Sequence, residues 1–206
     1  MSKEVITQSW LDYTQGDSER HRELVGWKLS RFARVGWSGL NPIKWGGTAT
    51  LNLPLSDERT PIGGVALVDG QIGGMAFLIE NDLPNYPVDG PLPEPFTGKD
   101  PISSDAANPW LAGLLVDEDL RRSPKEFDPS AEGRLRLGRQ LEQWIIAKAK
   151  SLADSGQWPY PQRRLWLFTE REPYAFLPEM YARWGWQQHR SFDYKDLRRW
   201  VMYKDF

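Results

Sequence analysis

The fold is decided by the stretch from Pro109 to Glu142, which opens with Trp110-Leu111-Ala112-Gly113-Leu114-Leu115-Val116. An almost unbroken apolar run of this length is typical of a strand buried on both faces, and therefore of a central strand of a sheet. After acidic and basic residues the chain continues through Gly133-Arg134-Leu135-Arg136-Leu137-Gly138-Arg139. The pattern predicts a buried strand, then a basic turn that contains glycine, then a helix.

The predicted helix is amphipathic. Its apolar face repeats at helical spacing and consists of Leu137, Leu141, Trp144, Ile145 and Leu152. Four polar residues are expected to lie largely on its other faces: Arg139, Glu142, Gln143 and Lys150. The first N–H groups of a helix have no partner within it, and together with the helix dipole and nearby arginines they favour phosphate oxygens. We therefore expect a ligand with a pyrophosphate, although the glycine spacing fits neither a Walker loop nor a dinucleotide-binding fingerprint.

Further strands and helices are predicted on both sides of this unit. An edge strand is expected over residues 4–10, and Asp17 or Ser18 can cap the helix that follows. Asp69-Gly70 separates two apolar runs, which is a strong hairpin signal, and the second run ends at Glu80. Prolines mark an irregular segment at about 84–108. The rest of the chain predicts a strand at 165–169 parallel to the central strand, a helix at 179–184, and closing strands at 190–194 and 199–204.

The composition narrows the possible function. We expect one domain over the 206 residues, and the net charge of −2 with a pI near 5.8 argues against a nucleic-acid or membrane-surface binder. No apolar run could span a bilayer and the first residues are polar, so we expect a cytoplasmic protein. The chain has no cysteine and only two histidines, so we predict no metal site. The eleven tryptophans are expected to serve packing, with stacking on a ligand as the alternative.

Four stretches together resemble the GNAT family of N-acetyltransferases. The turn at 133–138 resembles that family's acetyl-CoA loop, Arg/Gln-x-x-Gly-x-Gly/Ala, although Gly138 is the only position that matches and Arg136 replaces the first glycine. Residues 109–113 and 164–169 agree in order and type, and Tyr181-Ala182-Arg183-Trp184-Gly185-Trp186 is similar to the family's Tyr-x-x-x-Gly-Phe/Trp signature. The resemblance covers roughly the C-terminal two thirds of the chain.

The resemblance implies a fold and a cofactor. The expected fold is α/β (α+β), with a twisted, mixed and mostly antiparallel sheet, a central splayed pair of parallel strands, and flanking helices. The cofactor is acetyl-CoA, whose pantetheine would lie against the backbone of Leu114, Leu115 and Val116. Its pyrophosphate would meet Arg134, Leu135, Arg136, Leu137, Gly138 and Arg139. The 3′-phosphate could meet Arg121, Arg122 and Lys125, which are equally well explained as a solvated basic loop.

The resemblance also implies catalytic residues. Tyr181 matches the tyrosine that protonates the leaving sulfur, a role suited to a phenol that is protonated at neutral pH. An amine must lose a proton before it attacks, and Glu80 is our choice of base, with Asp82, Glu170 and His189 as rivals. Since the chain has no cysteine to carry the acetyl group, transfer is expected to be direct, in a ternary complex.

Three functions follow from these observations. The leading hypothesis is an acetyl-CoA-dependent N-acetyltransferase that acts on a primary amine of a small molecule or peptide, with an acceptor site built from the regions around 36–47 and 84–108. The first alternative is a CoA-binding sensor with little turnover, because Arg136 stands where the family has glycine. The second is a tryptophan-rich ligand-binding domain without a cofactor. An edge strand near either end could pair between subunits, so a homodimer is possible.

Overall fold

The structure is a computed structural model, and it describes residues 4–34, 62–80, 109–120, 136–158, 160, 162–170, 176–194 and 197–206. The chain divides into two compact units. The first comprises Met1–Leu78 and Gly113–Ala149, and the second comprises Ile79–Ala112 and Lys150–Phe206.

The described residues form seven strands and four helices. The strands are β1 (Val5–Ser9), β2 (Gly63–Val68), β3 (Gln71–Glu80), β4 (Pro109–Val116), β5 (Arg164–Glu170), β6 (Gln187–Tyr194) and β7 (Leu197–Asp205). The helices are α1 (Trp10–Thr14), α2 (Ser18–Arg34), α3 (Leu137–Asp154) and α4 (Leu177–Arg183), with one turn of 3-10 helix at Glu118–Leu120.

The hairpin of the first unit forms where the sequence predicts it. Asp69 and Gly70 both have positive φ, 50° and 81°, which is the backbone of a type I′ turn, and they join β2 to β3 with Val68 opposite Gln71. β1 pairs antiparallel with β2 and is the edge strand of the order β1-β2-β3-β4 in this unit. Both predictions are confirmed.

The first strand ends one residue earlier than predicted. Trp10 belongs to α1 and not to the strand, because Ser9 caps this short helix by accepting a 3.0 Å hydrogen bond from the Asp12 N–H. The predicted cap of α2 is confirmed at Asp17, whose carboxylate accepts from the Glu19 N–H at 2.7 Å. This bond lowers the pKa of the Asp17 carboxyl.

Helix α3 packs closely on the glycines of β3. Leu137 and Leu141 are fully buried, and a Cβ added at Gly73 or Gly74 would lie within 3.2 Å of a Leu137 methyl carbon or 3.0 Å of a Leu141 methyl carbon. The missing side chains let the start of the helix approach the strand. The predicted apolar face is confirmed for these leucines and Ile145, but the placement of Glu142 outside that face is wrong, because Glu142 is fully buried.

The second unit contains the parallel pair. β4 and β5 run parallel with Trp110 opposite Trp166, as predicted, and the strand order in this unit is β4-β5-β7-β6. β7 pairs antiparallel with both β5 and β6. Helix α4 covers 177–183 where we expected 179–184. Parallel and antiparallel pairs with flanking helices confirm the predicted mixed α/β class.

Several predicted features lie outside the described residues. They include the regions at 36–47 and 84–108, and the basic residues Arg121, Arg122 and Lys125. Within the described part of the chain, no helix combines the length and the hydropathy that crossing a bilayer requires.

Candidate active site

The predicted phosphate site lies at the N-terminus of α3. The first helical hydrogen bond runs from the Gln140 N–H to the Arg136 carbonyl at 2.9 Å. The amides of Leu137 and Gly138 precede that bond, so the helix itself supplies no acceptor for their N–H groups. They also lie at the positive end of the helix dipole, which attracts anions. Of the residues expected to bind the pyrophosphate, Arg134 and Leu135 lie outside the described part of the chain.

Arg136 has an ordinary backbone. Among the described residues other than glycine, positive φ occurs at Gln15 and Asp69, and not at Arg136. The position therefore does not require the glycine of the family pattern, and the arginine adds no backbone strain of that kind. The Arg136 side chain is exposed, whereas the Leu137 side chain is buried, so Leu137 can offer an anion only its backbone.

Arg139 is engaged with the buried acid of the same helix. Its Nη1 donates to Glu142 Oε2 at 2.8 Å, and the Arg139 side chain keeps 29% of its surface exposed while the Glu142 side chain keeps none. From the sequence, both residues are expected on the polar faces of the helix. A signal was nevertheless available, because Glu142, Ile145 and Ala149 recur at a spacing of three and four residues and so share one stripe of the helix.

The end of β4 is fixed against β3. The Asp117 N–H donates to the Gly73 carbonyl at 2.9 Å, and the Leu115 carbonyl oxygen would lie 2.9 Å from a Cβ at Gly74. The Leu115 side chain is buried, while those of Leu114 and Val116 are partly exposed. Their contact with pantetheine stays a prediction.

Tyr181 lies on α4 in the second unit. Its side chain is 9% exposed, and its ring makes edge contacts with Trp184 at 5.6 Å and Trp186 at 6.1 Å between centroids. Its carbonyl accepts from the N–H groups of Trp184 and Trp186 at 2.9 and 3.0 Å. Gly185 has a φ of 86°, which lets the chain turn sharply between these tryptophans. The helix therefore ends tightly at Gly185, and Trp186, with 2% of its surface exposed, packs in the core.

Lys204 closes the same turn from β7. Its ammonium donates to the Trp184 carbonyl at 2.7 Å. A cation at the carboxyl end of a helix satisfies a terminal carbonyl and opposes the negative end of the dipole. Sequence reasoning did not identify this residue, because nothing in the local sequence links the last strand to the end of α4.

The structure describes the four candidate bases, Glu80, Asp82, Glu170 and His189, to different extents. β3 ends at Glu80 as predicted, and Glu170 ends β5, but neither side chain is described; Asp82 lies outside the described residues. His189 is half-buried on β6, where the register shifts between Gln188 and Arg190. Its ring contacts Trp166 at 5.4 Å and Tyr203 at 6.3 Å. The choice among these bases stays a prediction.

Two further observations concern a metal site and the stacking of tryptophans on a ligand. Among the described residues there is no group of three or more metal-ligating side chains. Four of the tryptophans are at most 4% exposed, which favours packing at these positions over stacking on a ligand: Trp10, Trp110, Trp166 and Trp186.

Comparison with solved structures identifies the fold. The acetyltransferase of the GNAT family from Streptococcus pneumoniae is 15% identical with a TM-score of 0.53, covering 98% of this chain and 99% of that one. Aminoglycoside 6′-acetyltransferase type Ii is 13% identical with a TM-score of 0.54, covering 97% and 96%. A chain of the NatC complex bound to Gag peptide and CoA is 12% identical with a TM-score of 0.56, covering 98% and 99%. No protein-family model and no curated protein matches the sequence. The chain therefore has the GNAT acetyltransferase fold, as the resemblance implied.

Proposed function

We propose that this protein is an acetyl-CoA-dependent N-acetyltransferase that acts on a primary amine of a small molecule or peptide. The observation that carries the proposal is the N-terminus of α3. Within the GNAT fold, a helix begins there with the amides of Leu137 and Gly138 ahead of its first hydrogen bond, an exposed Arg136 and a partly exposed Arg139. Backbone N–H groups, a helix dipole and guanidinium groups are the donors that a pyrophosphate needs.

Both backbone N–H groups and a charged side chain hold the cofactor. The amides of Leu137 and Gly138 bind pyrophosphate oxygens, and Arg136 adds a charge-assisted contact. The ordinary φ of Arg136 supports this role over that of a steric defect. The backbone at Leu114–Val116 binds the pantetheine, as the resemblance implies.

The reaction forms an amide bond and breaks a thioester. Glu80 takes a proton from the acceptor ammonium, so that the neutral amine can attack the thioester carbonyl. Tyr181 donates its phenolic proton to the departing sulfur as the carbon–sulfur bond breaks. With no cysteine in the chain, the acetyl group passes directly to the amine.

The acceptor class is proposed at the level of a primary amine. One similar structure is named for an aminoglycoside and another contains a peptide. Both classes carry amines that must be deprotonated before attack, so both remain within the proposal.

Thermal unfolding with added ligands tests the cofactor. Because a ligand of the folded state stabilises it by mass action, CoA or acetyl-CoA at 100 times Kd should add about 2.7 kcal/mol to the free energy of unfolding. NAD and ATP should add much less. A melting curve that responds to NAD or a sugar and not to millimolar CoA contradicts the proposal.

Turnover distinguishes an enzyme from a sensor. Acetyl-CoA is mixed with a panel of small-molecule and peptide amines, and free CoA thiol is measured against a control without amine. We expect amine-dependent thiol release, which is read without background from the protein because it has no cysteine. CoA binding without release on any amine favours the sensor.

A further inference from the structure

Glu142 is the one acidic side chain that the described part of the chain buries completely. It lies on α3, whose first residue is Leu137, and its Oε2 accepts from Arg139 Nη1 at 2.8 Å. A buried carboxylate is costly unless it is paired and hydrogen-bonded. Its presence where an apolar residue would pack well therefore requires a reason.

The position of the pair supplies one. Arg139 is a cation in the first turn of α3, where the helix dipole opposes a positive charge and the nearby acid offsets that effect. An arginine side chain also loses rotamer freedom when it is ordered. A guanidinium already held by Glu142 has lost much of that freedom before a ligand binds.

The guanidinium can serve two partners. A guanidinium carries five N–H donors, more than one carboxylate oxygen can engage, and 29% of the Arg139 side chain is exposed to an incoming anion. A preorganised donor binds an anion with a smaller entropic cost than a mobile one. We propose that Glu142 is a positioning residue for the pyrophosphate site, which holds Arg139 oriented at the start of α3.

This inference rests on the proposed function, and the sign of one mutation tests it. Removing a negative charge beside a phosphate site should tighten CoA binding by simple electrostatics, whereas removing a positioning residue should weaken it. Glu142→Gln keeps the size of the side chain and replaces a charge-assisted bond with a neutral one of about half the strength. We expect a Kd for CoA that is about fivefold to tenfold weaker.

A second acyl donor separates positioning from general damage. S-acetylpantetheine carries the thioester without the pyrophosphate, so its kcat/KM should change less than about twofold in Glu142→Gln. Asp154→Asn is the control, because it removes the acid of exposed pairs with Lys150 and Arg163 at the other end of α3. It should leave the affinity for CoA unchanged.

The outcomes are distinguishable. If the wild-type protein binds no CoA, the proposed function fails. If the wild type binds CoA and Glu142→Gln binds it equally or more tightly, or loses both donors alike, the positioning role is wrong. Should Glu142→Gln not fold, the double variant Arg139→Met/Glu142→Met replaces the pair with apolar residues of similar volume, a change that is often tolerated. It should weaken CoA binding and spare S-acetylpantetheine, and equal losses on both donors would overturn the proposal.

Discussion

The start of α3 and the turn that follows α4 depend on different interactions, which are electrostatic in the first region and aromatic packing in the second. At the start of α3 the chain presents backbone N–H groups, the exposed Arg136 and the Arg139–Glu142 pair. At the turn, Tyr181 lies with 9% of its surface exposed between the edges of two tryptophan rings. The start of α3 attracts anions, whereas the turn after α4 holds the ring of Tyr181 in place.

The difference predicts separable roles. Interactions among exposed charges are screened by salt over about 10 Å at 0.1 M, whereas buried packing is not. Changes at the start of α3 should therefore alter cofactor affinity in a salt-dependent way. Changes at the Tyr181 turn should alter turnover with little dependence on salt.

The largest expected effect is that of Tyr181→Phe. The change removes a proton donor and keeps the ring that packs against Trp184 and Trp186, so the fold and the affinity for acetyl-CoA should survive within a few fold. Loss of a general acid typically costs about 10² to 10⁴ in rate. Steady-state kcat and CoA binding measured side by side check this expectation. Unchanged turnover in the folded variant would remove Tyr181 from the mechanism. The assignment of turnover to this turn and of cofactor affinity to the start of α3 would then be wrong.

Glu80→Gln is expected to have a smaller effect that depends on pH. A base matters most when the acceptor amine is protonated, so the loss of kcat/KM should be largest below the amine's pKa and partly relieved above it. The measurement is a pH profile of both proteins on one amine. A variant profile that overlays the wild type would move the role to Asp82, Glu170, His189 or water.

The two regions also differ in how far the sequence predicted them. Asp69-Gly70 specifies its turn locally, because the turn needs a positive φ that glycine adopts readily, and this prediction is confirmed. Gly185 ends α4 through the same property. The burial of Glu142 and the contact of Lys204 with α4 depend on residues far away in the chain or on packing. The spacing of Glu142 from Ile145 and Ala149 does place it on a buried stripe of the helix, but a charged residue is assigned to the solvent face by default, so this signal is outweighed in the sequence.

The third prediction concerns Arg136 and tests whether the start of α3 binds the cofactor by electrostatics. Arg136→Ala and Arg136→Gly should both weaken acetyl-CoA binding by about 1 to 3 kcal/mol, the contribution of a charge-assisted hydrogen bond. Both losses should shrink at high salt, since the side chain is exposed. Titration calorimetry at two salt concentrations measures this. Tighter binding by the glycine variant alone would show that the arginine hinders the pyrophosphate in spite of its ordinary φ.

The smallest expected effect is that of Lys204→Met, which tests whether packing is enough to hold the turn after α4. The ammonium of Lys204 binds the Trp184 carbonyl at 2.7 Å, and methionine keeps most of the aliphatic stem while it removes the charge. A cation at a helix C-terminus contributes about 0.3 to 1 kcal/mol, so the midpoint of urea unfolding should fall slightly.

The turn should nevertheless keep its shape in this variant, because Gly185 and the two hydrogen bonds to the Tyr181 carbonyl remain. We therefore expect turnover to fall by no more than about threefold, since the geometry that holds a general acid changes little when one hydrogen bond at the end of the turn is lost. Affinity for CoA should match that of Lys148→Met, a control that removes an exposed lysine from α3. If Lys204→Met instead lost turnover as severely as Tyr181→Phe, the turn would depend on charge as much as the start of α3 does. Packing alone would then not be enough to fix the tyrosine ring.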